Sequence, residues 1–242
     1  TPRTGTEQYS FRLISELLRL DSEHDFRLYL HRPAVEDFAA AVHGRSELRI
    51  MPFPRLWTHC RLSWEMLRRP PDVLFVPSHV IPLIHPRRSV VTVHDVGYLF
   101  FPKAYTWRRR YHLHFSTRHN VDSARHIIVD SEATRRDLVR YYRAQDDRIT
   151  VVPLGCGAEF RPVRDPQALA DVRRRYDLPA RFILTVGTLQ PRKNLPTLFR
   201  AFLALQKTCD LPHKLVVAGR QGWLHDSICR EVGMLGLAAD VV

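Results

Sequence analysis

Two periodicities of hydrophobic residues alternate along the chain and predict alternating strands and helices. Runs with the composition of strands lie at 26–30, 47–51, 72–77, 89–95, 126–130 and 149–153. Segments with apolar residues at helical spacing lie at 6–20, 34–42 and 57–69, and another begins at Ser131. Because helices separate most of the strands, we expect a parallel sheet whose strands are joined by crossover helices.

The pattern changes between Pro153 and Pro179 and then resumes as a second series. The segment LGCGAEFRPVRDP is rich in glycine and proline, as is typical of a hinge, and a polar helix follows it. The second series has predicted strands at 182–187 and 214–219 and predicted helices at 195–206 and near 225–236. The sequence thus predicts an α/β protein with two Rossmann-like domains, divided into residues 1–155, a linker at 156–180 and a partial domain at 181–242.

The two ends of the chain lie within predicted elements. The chain starts at Thr1 in a predicted loop that leads into a helix, and it stops at Val242, where a further strand begins. We therefore expect a fragment, in which the first domain lacks its first strand and the second domain is cut off after two strands.

The composition favours anionic partners. The formal net charge is +12 at pH 7, which suits phosphate-bearing small molecules, acidic lipid surfaces and nucleic acid. No nucleic-acid motif is present and the arginines are spread along the chain, so nucleic acid ranks last among these partners. The four cysteines form no Cys-x-x-Cys pair. No apolar stretch approaches the roughly 20 residues of a membrane span and none resembles a signal peptide, so we expect a cytoplasmic protein.

The strongest candidate for a ligand site is a turn within FILTVGTLQPRKNLPTLFRAF at 182–202. A predicted strand ends there at Gly187, an amphipathic helix follows, and Arg192 and Lys193 lie between them. Ligands of open α/β sheets bind at the carboxyl ends of strands, and a helix N-terminus offers unpaired N–H groups to anions. Two cations in such a turn suit a diphosphate, and the alternative is a solvated basic loop.

Other candidate residues lie at the ends of predicted strands and helices. Gly5 precedes the first helix, where it either permits close approach of an anionic ligand or forms an ordinary left-handed turn. His94 and Asp95 end a buried strand. His94 either faces a ligand or packs there, and Asp95 either takes part in chemistry or caps the next turn. Ser131 is placed to cap the helix that follows it.

Six segments of the chain occur in the order found in one enzyme family. They are TGTEQYSFRLISELL, TVHDVGYLFFP, IIVDSEATRRDL, ITVVPLGCGAEFRP, LTVGTLQPRKN and LVVAGRQGW. Together they resemble the retaining GT-B glycosyltransferases of family four, which move a sugar from a nucleotide diphosphate sugar to an acceptor. The first segment departs from the family, because it reads TGTEQ where many members have a Gly-Ile-Gly-Arg-type run.

The resemblance implies a role for each candidate residue. By this resemblance His94 and Asp95 are catalytic. Gly5 and Thr6 belong to the loop against the phosphates and the acceptor, and Ser131 faces the interdomain cleft. The implied donor-binding residues are Gly187, Thr188, Arg192, Lys193 and Gly219.

The resemblance also implies how the donor is activated. The basic pair would stabilise the charge that develops on the departing diphosphate. We therefore expect no metal cofactor, in agreement with the lack of an Asp-x-Asp motif. The family's Glu-x7-Glu segment lies beyond the last residue of this chain, and we expect the fragment to be inactive alone.

The implied activity is transfer of a hexose, of mannose, glucose or rhamnose type, with retention of configuration. The implied acceptor is a glycan or a lipid-linked sugar in polysaccharide biosynthesis. The alternative is another nucleotide-sugar enzyme of the same fold, such as an epimerase. Nucleic-acid binding is the least favoured function, since the charge alone suggests it.

The segment FPKAYTWRRRYHLHF at 101–115 combines aromatic and basic residues. Trp107, Tyr111 and Phe115 recur at i, i+4 and i+8 beside the arginines at 108–110. This pattern predicts either a helix that binds an acidic membrane surface, making the protein peripheral, or a helix that packs its aromatic face inward. The spacing of the neighbouring histidines favours a solvated basic face over a metal site. These histidines are His112, His114, His119 and His126.

Overall fold

The chain forms two compact units, Thr1–Gly155 and Cys156–Val242. The computed structural model describes residues 4–20, 23–33, 44–78, 80–222 and 225–242. Residues 156–180, expected as a linker, group with the second unit. Both units contain helices and parallel strands, as the alternating pattern predicts.

The first unit alternates strands and helices. Its helices are α1 (Gly5–Arg19), α2 (Ser63–Arg68), α3 (Trp107–Ser123) and α4 (Glu132–Tyr142). Its strands are β1 (Phe26–Leu30), β2 (Ser46–Ile50), β3 (Leu74–Val76), β4 (Ser89–Val93), β5 (His126–Val129) and β6 (Ile149–Val151). A π-helical turn at Thr58–Leu62 leads into α2, and short 3-10 turns lie at Pro102–Ala104 and Asp146–Arg148. The helix predicted at 34–42 lies outside the described residues.

The strand pairs of this unit are parallel, which confirms the prediction. β1 pairs with β2, and β3, β4, β5 and β6 form a four-stranded sheet in that order. Val93 lies opposite Val129 at the last pair of β4 and β5. The residues that follow, His94 and Asp130, therefore leave the sheet side by side. Each strand of the four-stranded sheet ends one or two residues earlier than its apolar pattern suggests, so these polar residues belong to loops at the carboxyl edge.

Apolar side chains of β4 and β5 form the centre of the main core. Val91, Val93, Ile127 and Val129 are buried in one cluster with Leu138 of α4. Each such side chain stabilises the fold by roughly 1.5–3 kcal/mol relative to full exposure. A second cluster joins the end of β2 to the π-helical turn, α2 and β3 and contains Met51, Leu62, Met66 and Leu74. The four-stranded sheet is thus rigidly held at its centre, which fixes the positions of the loops at its edge.

Helix α3 buries a polar face and exposes its aromatic face. Its buried residues are Ser116, Thr117, Asn120 and Val121. The side-chain oxygen of Asn120 accepts a hydrogen bond of 3.0 Å from the backbone N–H of Ile81. Trp107, Tyr111 and Phe115 are 75%, 70% and 51% exposed. The predicted alternative of an inward aromatic face is therefore wrong, because the aromatic side chains are exposed while Asn120 and Thr117 of the polar face have hydrogen-bond partners inside the unit.

The second unit contains a parallel strand pair and three helices. The elements are α5 (Pro166–Arg175), β7 (Phe182–Val186), α6 (Leu195–Thr208), β8 (Lys214–Ala218) and α7 (His225–Met234). β7 pairs with β8, and a bridge between Leu215 and Val241 begins a further parallel strand. Phe199 and Phe202 of α6 are buried with Ile228 of α7. Leu215 of β8 belongs to the same cluster, so this core anchors both helices to the strand pair.

Candidate active site

Arg192 and Lys193 lie in a 3-10 turn, Pro191–Lys193, between β7 and α6. Asn194 follows in the left-handed conformation with φ of 52°, which ends the turn before α6 begins. The side chain of Lys193 lies against Gly187, since its Cε atom is 3.4 Å from the position that a Cβ would take there. The Lys193 side chain therefore lies beside the end of β7, in the turn that the sequence predicts.

Gly219 is required by the packing of two backbone segments. A Cβ at this residue would lie 1.9 Å from the carbonyl oxygen of Gly187. The loops after β7 and β8 also remain hydrogen-bonded beyond the strands, because Gly187 donates to Ala218 and Leu189 donates to Arg220, each at 2.9 Å. The two glycines therefore act through the backbone, by holding the two strand ends together beside the basic turn.

The N-terminus of α6 offers fewer donors to an anion than the sequence predicts. Pro196 has no N–H, and the N–H groups of Thr197 and Leu198 both donate to the carbonyl of Asn194. An anion at this helix N-terminus would therefore meet positive charge mainly from the side chains of Arg192 and Lys193 in the preceding 3-10 turn. Thr188, a predicted donor-binding residue, lies exposed in the loop after β7.

His94 lies at the carboxyl edge of the four-stranded sheet, in the loop after β4. Its Nδ1 atom is 2.6 Å from Oδ2 of Asp130, and its Nε2 atom is 3.2 Å from the carbonyl oxygen of Pro77. Pro77 follows β3 and Asp130 follows β5, so the ring spans the ends of three adjacent strands. The ring of Tyr9 packs edge-on against it, with 4.7 Å between the centroids. His94 thus lies where ligands of such sheets bind, and it is also packed there.

Asp130 is a residue of this site that the sequence analysis did not single out. Its side chain is 14% exposed and that of His94 is 12% exposed. Its Oδ1 atom is buried and has no hydrogen-bond partner among the described residues. The signal was present in the sequence, since Asp130 directly follows the apolar run that neighbours the His94 strand. The sequence position of Asp130 points to His94 only when the pairing register of β4 and β5 is known. The hydrophobic pattern of each strand by itself does not give that register.

Hydroxyl groups complete the surroundings of His94. The hydroxyl oxygens of Tyr9 and Thr92 are 3.0 Å apart, and the Thr134 hydroxyl donates to the backbone carbonyl of His94 at 3.2 Å. Burial raises the pKa of Tyr9, and the negative charge of Asp130 adds to the rise, while the hydrogen bond with Thr92 opposes it. Tyr9 is therefore a neutral phenol at physiological pH.

Asp95 and Ser131 have the capping contacts that the sequence predicts. The Oδ1 atom of Asp95 accepts a hydrogen bond of 2.8 Å from the N–H of Gly97, which closes a turn after β4. The Ser131 hydroxyl accepts from the N–H of Thr134 at 3.2 Å and so caps α4. Both predicted capping roles are confirmed.

Gly5 and Thr6 form the first turn of α1 rather than a loop ahead of it. Thr4 is the N-cap, and its hydroxyl and the Glu7 carboxylate form a reciprocal capping box. Gly5 is not in the left-handed conformation, so that alternative is wrong. A Cβ at Gly5 would meet nothing within 4 Å, so there is open space beside this turn.

The part of the chain that the structure describes contains neither a metal-binding cluster nor a membrane-spanning helix. No three His, Cys, Asp or Glu side chains in these ranges are arranged to hold a metal ion. Histidines of α3 and β5 have other contacts, since His114 lies 2.8 Å from the hydroxyl of Tyr142 and His126 lies 2.8 Å from that of Thr150. None of the described helices combines the length and the apolar character needed to cross a membrane.

Comparison with known proteins relates this chain to sugar-transferring enzymes. Residues 3–160 match the family described as Glycosyltransferase Family 4. The O-antigen chain mannosyltransferase B of Escherichia coli is 27% identical over 247 residues, which cover 96% of this chain and 64% of that protein. A D-inositol 3-phosphate glycosyltransferase of Thermobispora bispora is 34% identical over 125 residues, which cover 50% of this chain and 28% of that protein.

Two solved structures share the fold. WaaG, a glycosyltransferase involved in lipopolysaccharide biosynthesis, gives a TM-score of 0.69 at 16% identity and covers 100% of this chain and 66% of its own. Anabaena Alr3699/HepE, in complex with UDP and glucose, gives a TM-score of 0.68 at 14% identity and covers 100% of this chain and 65% of its own. This chain therefore spans about two thirds of the length of these proteins. From the match over residues 3–160 and the parallel α/β architecture, the chain belongs to Glycosyltransferase Family 4 and has the GT-B fold.

Proposed function

We propose that the protein transfers a hexose from a nucleotide diphosphate sugar to a glycan or lipid-linked acceptor, with retention of configuration. The observation that carries this proposal is the basic turn of the second unit, where Lys193 lies against Gly187 at the end of β7 and Arg192 precedes it. Breaking the bond between sugar and diphosphate leaves negative charge on the departing phosphate. Cations on a fixed turn stabilise that charge as it develops.

The named relatives support the choice of a hexose and of a glycan. The Escherichia coli relative is a mannosyltransferase of the O-antigen chain, and Alr3699/HepE was crystallised with UDP and glucose. We therefore propose a hexose donor of mannose, glucose or rhamnose type and a role in polysaccharide biosynthesis. An epimerase is not favoured, because the matched family consists of glycosyltransferases.

In the first unit we propose that His94 and Asp95 act on the transferred sugar and that Gly5 and Thr6 lie beside the acceptor. Two observations support this. His94 and Asp95 follow β4 at the carboxyl edge of the sheet, where ligands of parallel sheets bind. The first turn of α1 has open space at Gly5, which leaves room for an acceptor group.

We also propose that α3 attaches the protein to the cytoplasmic face of an acidic membrane, where lipid-linked acceptors lie. The aromatic–arginine surface of α3 comprises Trp107, Tyr111 and Phe115 with Arg108, Arg109 and Arg110, and all six residues are exposed. The guanidinium carbon of Arg108 lies 5.4 Å from the centre of the Trp107 ring. Aromatic rings favour the membrane interface, and each arginine near anionic headgroups contributes about 1 kcal/mol.

Transfer without a divalent metal is part of the proposal, because the basic turn supplies the charge that a metal would otherwise supply. The full-length protein is incubated with hexose nucleotides and a glycan acceptor in excess EDTA. We expect transfer at an unchanged rate and a product whose anomeric configuration, read by NMR, matches the donor. Loss of transfer that Mg²⁺ or Mn²⁺ restores contradicts the metal-free mechanism, and no transfer from any hexose nucleotide contradicts the function.

A further inference from the structure

Helix α1 lies at the surface of the first unit and buries little of itself. Among its residues, all of which the structure describes, only Ser15 is buried, and the others are partly or fully exposed. Strand β4, by contrast, is buried at four of its five positions. Close packing of buried side chains is what fixes an element against its neighbours. The position of α1 therefore depends more than that of β4 on individual contacts of partly buried side chains.

Tyr9 makes two such contacts with the edge of the sheet. Its hydroxyl oxygen lies 3.0 Å from that of Thr92, a fully buried residue of β4, at the distance of a hydrogen bond. Its ring packs edge-on against that of His94, with 4.7 Å between the centroids and 87° between the planes. We infer that Tyr9 is a positioning residue that holds the first turn of α1 in place beside His94.

The first turn of α1 is joined firmly to the part of the helix that carries Tyr9. The Thr4 side chain caps the helix, and the Ser10 hydroxyl donates a hydrogen bond of 2.9 Å to the carbonyl of Thr6. These bonds add to those of the helix itself. A displacement of Tyr9 would therefore carry Gly5 and Thr6 with it.

The open space at Gly5 lies on the face of α1 that carries Tyr9. Residues four apart lie on one face of a helix, about 5.4 Å from each other along its axis. A Cβ at Gly5 would meet nothing within 4 Å. A group bound in this space would thus lie one helical turn from the ring that packs against His94.

The consequence for turnover rests on the proposed function, in which an acceptor lies beside Gly5 and His94 acts on the transferred sugar. Tyr9 then sets the distance between the two reacting groups without touching either of them. Such a distance matters, because a misplacement of about 1 Å can cost about 100-fold in rate. Burial raises the pKa of Tyr9, so its hydroxyl keeps its proton for the contact with Thr92 through the neutral pH range.

Hydrogen–deuterium exchange of the full-length protein tests the anchoring without any substrate. Tyr9→Phe removes the hydroxyl and keeps the ring, and Tyr9→Leu removes both. We expect the amides of α1 to exchange about 2- to 10-fold faster in Tyr9→Phe, as for one lost hydrogen bond, and faster still in Tyr9→Leu. The amides of β4 should be unchanged in Tyr9→Phe. The control is Tyr141→Phe, which removes the hydroxyl of an exposed tyrosine of α4 and should alter neither element.

Two results of this experiment overturn the inference. One is exchange of α1 that is unchanged in both Tyr9 variants, since α1 then keeps its position without Tyr9. The other is equal loss of protection in α1 and β4 of Tyr9→Phe, since the residue then supports the whole unit rather than the first turn of α1.

Kinetics of the full-length enzyme test the role in turnover. We expect Tyr9→Phe to lower kcat/KM for the acceptor about 2- to 10-fold and Tyr9→Leu to lower it about 100-fold. The KM for the donor should be unchanged in Tyr9→Phe, because the proposed donor diphosphate site lies in the second unit, and Tyr141→Phe should match the wild type. Unchanged kcat/KM for the acceptor in both variants, or equal changes for donor and acceptor in Tyr9→Phe, overturns the positioning role. If the wild type transfers no sugar while exchange of α1 depends on Tyr9, the proposed function fails and the anchoring stands. If the wild type is active and both Tyr9 variants match it in both assays, the inference alone fails.

Discussion

Lys193 and Asp130 both lie against residues from other positions in the sequence. The Lys193 side chain lies against Gly187 at the end of β7, and Asp130 meets His94 because β4 and β5 pair in one register. The sequence predicts the cap at Ser131 because capping depends on residues within one turn. It does not predict the contact between Asp130 and His94, because that contact depends on how two strands align.

The close backbone contact at Gly219 predicts a specific loss of stability. A methyl group there would lie 1.9 Å from the carbonyl oxygen of Gly187, so the two loops would have to separate. We expect Gly219→Ala to lower the free energy of unfolding by about 1–3 kcal/mol, the usual cost of overpacking, measured as a lower urea midpoint. The matched control is Gly233→Ala in α7, where a Cβ would meet nothing within 4 Å. It should be neutral or slightly stabilising, and equal midpoints for the two variants would contradict the packing argument.

At the scale of elements, the sequence predicts which segments are strands and helices better than it predicts which face is buried. The apolar runs of β4 and β5 are long enough to identify buried strands, and the structure confirms both. Helix α3 is ambiguous because its aromatic residues and its polar residues each form a stripe. The polar stripe is inside, where Asn120 accepts a hydrogen bond from the N–H of Ile81 and Thr117 accepts one from the hydroxyl of Tyr98. Such partners come from other elements and leave no trace in the periodicity of α3.

The exposed aromatic–arginine surface of α3 predicts salt-sensitive binding to acidic membranes. Vesicles containing anionic lipid are sedimented with the protein at low and at high salt. We expect the wild type to pellet at low salt and to be released at high salt. Replacing the three arginines at 108–110 by glutamate should abolish pelleting, whereas the same change at 173–175 in α5 alters the charge equally and should not. Wild-type protein in the supernatant at low salt, or equal loss in both variants, would contradict the membrane proposal.

At the scale of the whole molecule, the alternation of strands and helices is sufficient to predict two α/β units. The structure divides the chain after Gly155, where the pattern changes in the sequence. The net charge of +12 indicates anionic partners but identifies none of them. The placement of Arg192 and Lys193 at a strand end is what turns this general charge into a specific candidate site.

The central claim is that this basic turn binds the donor diphosphate. Calorimetric titration of the chain with GDP and with UDP, in EDTA and at low salt, tests it most directly. The control is Lys207→Ala, which removes an exposed lysine from the last turn of α6. We predict that at least one nucleotide binds the wild type and the control equally. Combined replacement of Arg192 and Lys193 by alanine should weaken that binding about tenfold or more, as expected for lost hydrogen bonds to charged groups. Equal affinity in the double variant, or no binding of either nucleotide to the wild type, would contradict the claim.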